Sequence, residues 1–225
     1  MESGFLLHTD DVFRRLSFGF NGQSNKNSCT AVAFGIALNY LNRTRVENYA
    51  SADIQAENLQ KRNIGAWDEQ HYPNASALHH YLLGVCKLKS GPFGRWGRGV
   101  TRRLQRHYQV EGYGQLPVSS SCRYTVLNPK GAWQLIKEQI DLDIPVVVTT
   151  NLKLLSSNEF GQHSMAVCGY QESEQSGRTL FAHSGWHEGY VHDGLAKLVS
   201  IPFEWVLCFY SFELDLKRPA QSATP

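Results

Sequence analysis

Between Ser28 and Leu41 the chain reads S-C-T-A-V-A-F-G-I-A-L-N-Y-L, and this run limits the possible folds more than any other segment. Val32, Ile36 and Tyr40 recur at i, i+4, i+8, as do Ala33, Ala37 and Leu41, so a helix here is apolar round most of its circumference. Such a helix has to be buried among other elements. Gly35 inside it costs about 1 kcal/mol relative to Ala and points to close packing against a neighbour. Asn27 and Ser28 stand just before the run as N-cap candidates.

The rest of the chain has the means to enclose that helix. Its 225 residues, 42 % hydrophobic and 12 % aromatic, fit one large domain or two small lobes and exclude disorder, coiled coil and collagen. A chain of this length needs no disulfide staples. Asn74 to Leu88 and Gly99 to Gln109 read as further helices, separated by a Gly/Pro/Trp loop from Lys89 to Gly99. Beyond Gly114 the texture turns strand-like. Cys122 to Leu127 alternates, Pro129 to Leu142 is an amphipathic helix with Pro at its start, and Ile144 to Thr150 is a β-branched run. His163 to Tyr170 and Arg178 to His183 pair as a hairpin across the polar loop Gln171 to Gly177, and Leu195 to Val199 and Val206 to Leu214 add two strands. A helical first half and an antiparallel second half give an α+β fold in two lobes, residues 1–117 and 118–225, divided near Gly114 to Ser120.

The net charge of +2 offers no global attraction to nucleic acid or to a membrane surface. No apolar run approaches the ~20 residues of a membrane-spanning helix. The start, M-E-S-G-F-L-L-H-T-D-D, has neither the basic nor the apolar region of a secretory signal. Cys29, Cys86, Cys122, Cys168 and Cys208 are scattered, with no C-x-x-C pair, which favours reduced thiols and a cytoplasmic setting over a disulfide or zinc framework.

Cys29 opens the buried helix, where the partial positive charge and unsatisfied N–H groups of a helix N-terminus favour a thiolate. Gln23, six residues upstream in G-F-N-G-Q-S-N-K-N-S-C, can bring an amide donor beside the Cys29 N–H and complete an oxyanion hole. His163 opens an apolar strand in G-Q-H-S-M-A-V-C-G-Y and can serve as the proton partner of a thiol.

With these residues in place the chain resembles the papain-like (clan CA) cysteine peptidases of the bacterial papain-fold type. The resemblance rests on Gln23 before Cys29, on Ser-Cys opening an Ala/Phe-rich helix, on His163 followed by A-V-C-G-Y, and on Ala182-His-Ser-Gly-Trp186. The last is similar to the Asn-Ser-Trp-Gly segment that supplies the family's third catalytic group. His163 follows Cys29 at about the 130–150-residue interval that papain-type enzymes leave between the nucleophile and its downstream partners. The resemblance implies a helical lobe carrying the nucleophile, a β-barrel-like lobe carrying the histidine, and a cleft between them. It implies thiol hydrolysis of a peptide amide bond in a peptide or protein substrate, with no cofactor and no metal. His183 then stands in the third position and orients His163, with Asp193 as the next candidate. The sequence departs from the family where Thr30 replaces the aromatic after the nucleophile and where no cysteine precedes Cys29 for the usual disulfide.

Two other readings share these residues. A Cys-His-His amidase or acyltransferase suits a third-position histidine, although its D-C-S-G nucleophile motif is absent. A catalytically inactive papain-fold module could instead hold a partner through the basic stretch from Lys87 to His107, which otherwise reads as a solvated helix face and loop. His183, His187 and His192 lie close together with Glu188 and Asp193, but Gly185 and Gly189 interrupt any helix that could align them as metal ligands.

Overall fold

The computed structural model describes residues 1–15, 29–45, 98–107, 118–151, 162–185 and 196–214. The expected helix at 74–88, the loop after it, the N-cap candidates Asn27 and Ser28, and the cut near residue 114 all lie wholly or partly outside these residues.

The apolar run becomes a 17-residue helix, α1 (Cys29–Arg45). Every residue from Thr30 to Leu41 is buried. Two further helices, α2 (Arg98–His107) and α3 (Pro129–Asp141), fall close to their expected bounds. The two stripes of α1 divide between two core clusters. Val32, Ile36 and Tyr40 join Leu6, Phe13 and the α3 residues Trp133, Ile136 and Ile140. Ala33, Ala37 and Leu41 join Phe34 and Leu38 against Val100 and Leu104 of α2. Phe34 meets Tyr210 and Phe212 edge-on at centroid distances of 5.0 and 5.8 Å.

Those aromatics belong to a seven-stranded sheet of β1 (Glu2–Phe5), β2 (Val118–Tyr124), β3 (Val146–Thr150), β4 (Ser164–Ser173), β5 (Gly177–His183), β6 (Leu198–Pro202) and β7 (Val206–Leu214). The order is β2-β7-β3-β4-β5-β6, and the described pairings are all antiparallel. β3 is central and buried along its whole length, which accounts for its unbroken Val-Val-Val. Its side chains alternate between the clusters, Val146 and Val148 in one and Val147 in the other. α3 begins where Asn128 accepts the Gly131 N–H at 3.0 Å, with Pro129 following as the first helical residue. Asp143, at φ 59°, turns the chain from α3 into β3. Its carboxylate takes hydrogen bonds from the Tyr40 hydroxyl of α1 and, at 2.8 Å, from the Leu7 N–H. Among the described residues no helix is long and apolar enough to cross a membrane.

Several boundaries differ from the sequence expectation. The strand expected over 122–127 ends at Tyr124, because Thr125 to Leu127 form one 3-10 turn whose Thr125 hydroxyl binds the Val206 carbonyl. The polar loop expected over 171–177 shortens to three residues. Gln171 and Glu172 remain in β4, since β1 and β5 both pair with them. β1 was not anticipated by its sequence. It lies beside β4 in the register Glu2↔Glu172 to Phe5↔Gly169, and this close crossing requires a glycine: a Cβ on Gly169 would stand 2.4 Å from Phe5 Cδ1. β4 is therefore flanked on one side by β3 and then β1, and on the other by β5.

Candidate active site

Cys29 is the first residue of α1 and is half-buried, and no acidic side chain in the first turn opposes the positive end of the helix. α1 packs along β3 and β4, so its head points to the start of β4. His163 stands there, immediately before the strand, and is 7 % exposed. Its main chain is held at both ends by Thr150 of β3. The Thr150 N–H donates to the His163 carbonyl at 2.8 Å, and the His163 N–H donates to Thr150 Oγ1 at 3.1 Å.

The imidazole is oriented by one short contact. His163 Nε2 lies 2.7 Å from the main-chain carbonyl of Ser184. A carbonyl can only accept, so Nε2 carries the hydrogen, and Nδ1 is the nitrogen left to exchange a proton with the sulfur. His163 hydrogen-bonds to Cys29. Burial by itself pushes the Cys29 thiol up. The hydrogen bond and charge of His163, the Ser164 N–H and the Thr30 hydroxyl outweigh it, and the thiol lies below its ordinary value. Cys168 is the contrast: burial drives its thiol far above the ordinary value.

Of the residues expected at the site, Cys29 and His163 come together. Gln23 and Asp193 lie outside the described residues. His183 ends β5, is 1 % exposed, and receives the Gly185 N–H on its Nδ1 at 3.0 Å. The expectation placed the His183 ring behind His163; the acceptor found at 2.7 Å is the carbonyl of the next residue, Ser184. The intervening turn is tightly determined. Gly185 has φ +72°, and a Cβ there would approach Val32 Cγ1 of α1 to 2.7 Å. Phe13 meets the His183 ring edge-on at 6.2 Å.

Sequence reasoning missed the Ser184 carbonyl, because any residue can supply one. It also missed a buried line of hydroxyls behind the sulfur. Ser164 Oγ is 3.1 Å from Thr30 Oγ1 and 3.0 Å from Thr149 Oγ1. The available signal was Thr30 itself, a hydroxyl beside the nucleophile in an otherwise apolar helix. The four described cysteines, Cys29, Cys122, Cys168 and Cys208, are thiols. Among the described residues no group of three or more His, Cys, Asp or Glu could hold a metal ion; His187, His192, Glu188 and Asp193 lie outside them. Most of the basic stretch from Lys87 to His107 lies outside them too.

No family model and no curated protein matches this chain. Among solved structures it is similar to active wild-type interpain A cysteine protease of Prevotella intermedia, with 12 % identity and a TM-score of 0.50 over 92 % of this chain and 93 % of that one. It is also similar to a fragment of prointerpain A of Prevotella intermedia, with 10 % identity and a TM-score of 0.52 over 92 % of this chain and 71 % of that one. At such identities the likeness concerns the fold alone: a mixed α/β chain with a mainly antiparallel sheet, arranged as in the papain-like proteases.

Proposed function

We propose that this chain is a cysteine peptidase that cleaves a peptide amide bond with Cys29 as nucleophile and His163 as its proton partner. The observation that carries this reading is the 2.7 Å contact from His163 Nε2 to the Ser184 carbonyl, which commits the other ring nitrogen to Cys29. Transfer of the Cys29 proton to His163 Nδ1 leaves the charge on the sulfur. The thiolate attacks the substrate carbonyl, and the oxyanion that develops is held by the Cys29 N–H with the Gln23 amide as second donor. His163 Nδ1 then gives its proton to the leaving amine, and a carbon–sulfur acyl bond replaces the carbon–nitrogen bond. Water attacks the acyl group while Nδ1 takes its proton, and release of the acid restores the pair. His183 contributes by holding the turn that aims the Ser184 carbonyl. The substrate lies across a cleft between the helical part that carries Cys29 and the sheet that carries His163, a division that puts β1 (Glu2–Phe5) with the sheet rather than with the rest of residues 1–117. None of these steps calls for a metal or an organic cofactor.

The test is iodoacetamide labelling of the folded protein at about pH 6, read by mass spectrometry, followed by a peptide-library digest with Cys29→Ala as control. Selective labelling at Cys29 together with cleavage that Cys29→Ala abolishes is the expected result. Comparable labelling at Cys122, Cys168 or Cys208 would remove the case for an activated thiolate. Selective labelling without cleavage of any peptide would transfer the site to a small-amide hydrolase or acyltransferase.

A further inference from the structure

Three hydroxyls stand in a row behind the nucleophile, one from each element that meets there. Thr30 is the second residue of α1, Ser164 the first of β4, and Thr149 faces Ser164 directly in the β3–β4 register. They are 1 %, 2 % and 2 % exposed. Placing three hydroxyls in such an interior is unfavourable unless each is hydrogen-bonded, and the separations of 3.1 and 3.0 Å show that they bond to one another. Thr30 also hydrogen-bonds to the Cys29 sulfur.

Each hydroxyl has one hydrogen to give and lone pairs to receive, so a row of them has a direction. If the hydrogens run from Thr149 to Ser164, from Ser164 to Thr30 and from Thr30 to sulfur, all three are used and the sulfur receives. In the opposite direction the thiol would spend its own hydrogen on Thr30 and withhold it from His163. We infer that Thr149, Ser164 and Thr30 form a one-way hydroxyl chain that donates into Cys29 and holds its sulfur as a hydrogen-bond acceptor. Thr30 touches the reacting atom; Ser164 and Thr149 are positioning residues acting through it. The inference rests on Cys29 being the working thiolate, and it gives Thr30 a role where papain-like relatives carry an aromatic. The chain polarises bond by bond, each donor strengthened by the one behind it.

The titratable groups around the sulfur are few among the described residues. The first turn of α1 has no acid, the facing end of β3 presents Thr149 and Thr150, the head of β4 presents His163, and the end of β5 presents His183 with its Nδ1 occupied by Gly185 N–H. A change in the pH midpoint of Cys29 reactivity that a valine or alanine at one of the three positions causes, and a serine at Thr30 or Thr149 reverses, therefore reports on the hydroxyls.

The experiment measures Cys29 alkylation rate against pH in the full chain, for wild type, Thr30→Val, Thr30→Ser, Thr149→Val, Thr149→Ser and Ser164→Ala, with thermal melts alongside. Thr30→Val should raise the midpoint by about one pH unit, the effect of one hydrogen bond to a charged acceptor. Thr149→Val, which touches nothing at the sulfur, should raise it by about 0.1–0.3 unit, the cooperative strengthening of about 10–30 % on a bond worth about one unit. Ser164→Ala, which leaves the Thr30 hydroxyl on the sulfur but removes both donors behind it, should raise the midpoint by more than Thr149→Val and less than Thr30→Val, and both serine variants should restore the wild-type midpoint. A Thr149→Val protein that melts as a folded chain with an unmoved midpoint overturns the inference. Should the valine variants fail to fold, Ser164→Ala with an unmoved midpoint overturns it equally. If wild-type Cys29 itself titrates as an ordinary thiol, the peptidase reading falls first, which separates the two failures.

Discussion

Gly185→Ala is the substitution that probes the orientation of His163 most directly, since it alters neither Cys29 nor His163. Two penalties arise. An L-residue at φ +72° occupies the left-handed region, which costs about 1–2 kcal/mol. The new Cβ would also stand 2.7 Å from Val32 Cγ1, well inside contact distance, and relieving such an overlap costs about 1–3 kcal/mol. The total is about 2–5 kcal/mol. For a chain of this size that lowers the melting temperature by roughly 4–20 °C. The relief has a direction: Val32 is buried in the first turn of α1 and packed into the core, so the Ser184–Gly185 turn moves and its carbonyl moves off His163 Nε2. A displacement of about 1 Å at such a group costs on the order of 10²-fold in kcat/KM. The assay is a thermal melt and kcat/KM on a peptide from the library screen, for Gly185→Ala, Val32→Ala and the double variant. Val32→Ala removes Cγ1 and leaves the Val32 Cβ position 3.6 Å away, an ordinary contact, so the double variant should be more stable than the sum of the singles. If Gly185→Ala lowers the melting temperature but keeps kcat/KM within about threefold of wild type, the Ser184 carbonyl does not orient His163 and the argument fails.

Two further outcomes follow from the contacts. His183→Asn should keep most of the activity, because an asparagine oxygen can accept an N–H two residues ahead, whereas His183→Leu should lower kcat/KM while leaving the melting temperature nearer to wild type than Gly185→Ala does. Glu172 is bound by Arg178 at 2.8 Å and by the Trp133 indole N–H at 2.8 Å, and these hold its carboxyl below the ordinary value. Its stabilising contribution is thus present above the ordinary glutamate value near ~4.3 and is lost as pH falls through the lowered folded value, so urea unfolding of Glu172→Gln should lack that part of the acid-side decline. An identical pH profile for the variant would show the pair to be neutral for folding.

What the sequence revealed depended on whether the cause was local. α1 was legible because both of its apolar stripes are written in one short run, and each meets a different core cluster. β7 was legible from Val206 to Leu214 for the same reason. β1 was not, since Glu-Ser-Gly-Phe has no pattern of its own and its pairing depends on residues near the far end of the chain. At the site, Cys29 and His163 could be picked out because their side-chain chemistry is uncommon. The acceptor behind His163 could not, because a main-chain carbonyl leaves no mark in the sequence. His183 drew notice for its ring, while its nitrogen is engaged in shaping the turn that presents the neighbouring carbonyl. Thr30 reads as a mere departure from a family pattern until Ser164 and Thr149 are seen beside it.

β4 is the strand on which the rest of the assembly waits, and this bears on the order in which the molecule becomes reactive. Synthesis proceeds from the N-terminus at about 5–20 residues per second, so Cys29 leaves the ribosome many seconds before His163 and the strand behind it. β1 likewise emerges first and has no edge to join until β4 exists. Until then the sulfur lacks the imidazole, the Ser164 N–H and the hydroxyl of Ser164 behind Thr30, and it behaves as an ordinary thiol. Long-range closure of this kind is slow, and it delays the lowering of the Cys29 thiol until β4 and His163 are in place. A nascent or truncated polypeptide bears at Cys29 no more than an ordinary thiol, because the order in which its strands are made brings the imidazole late.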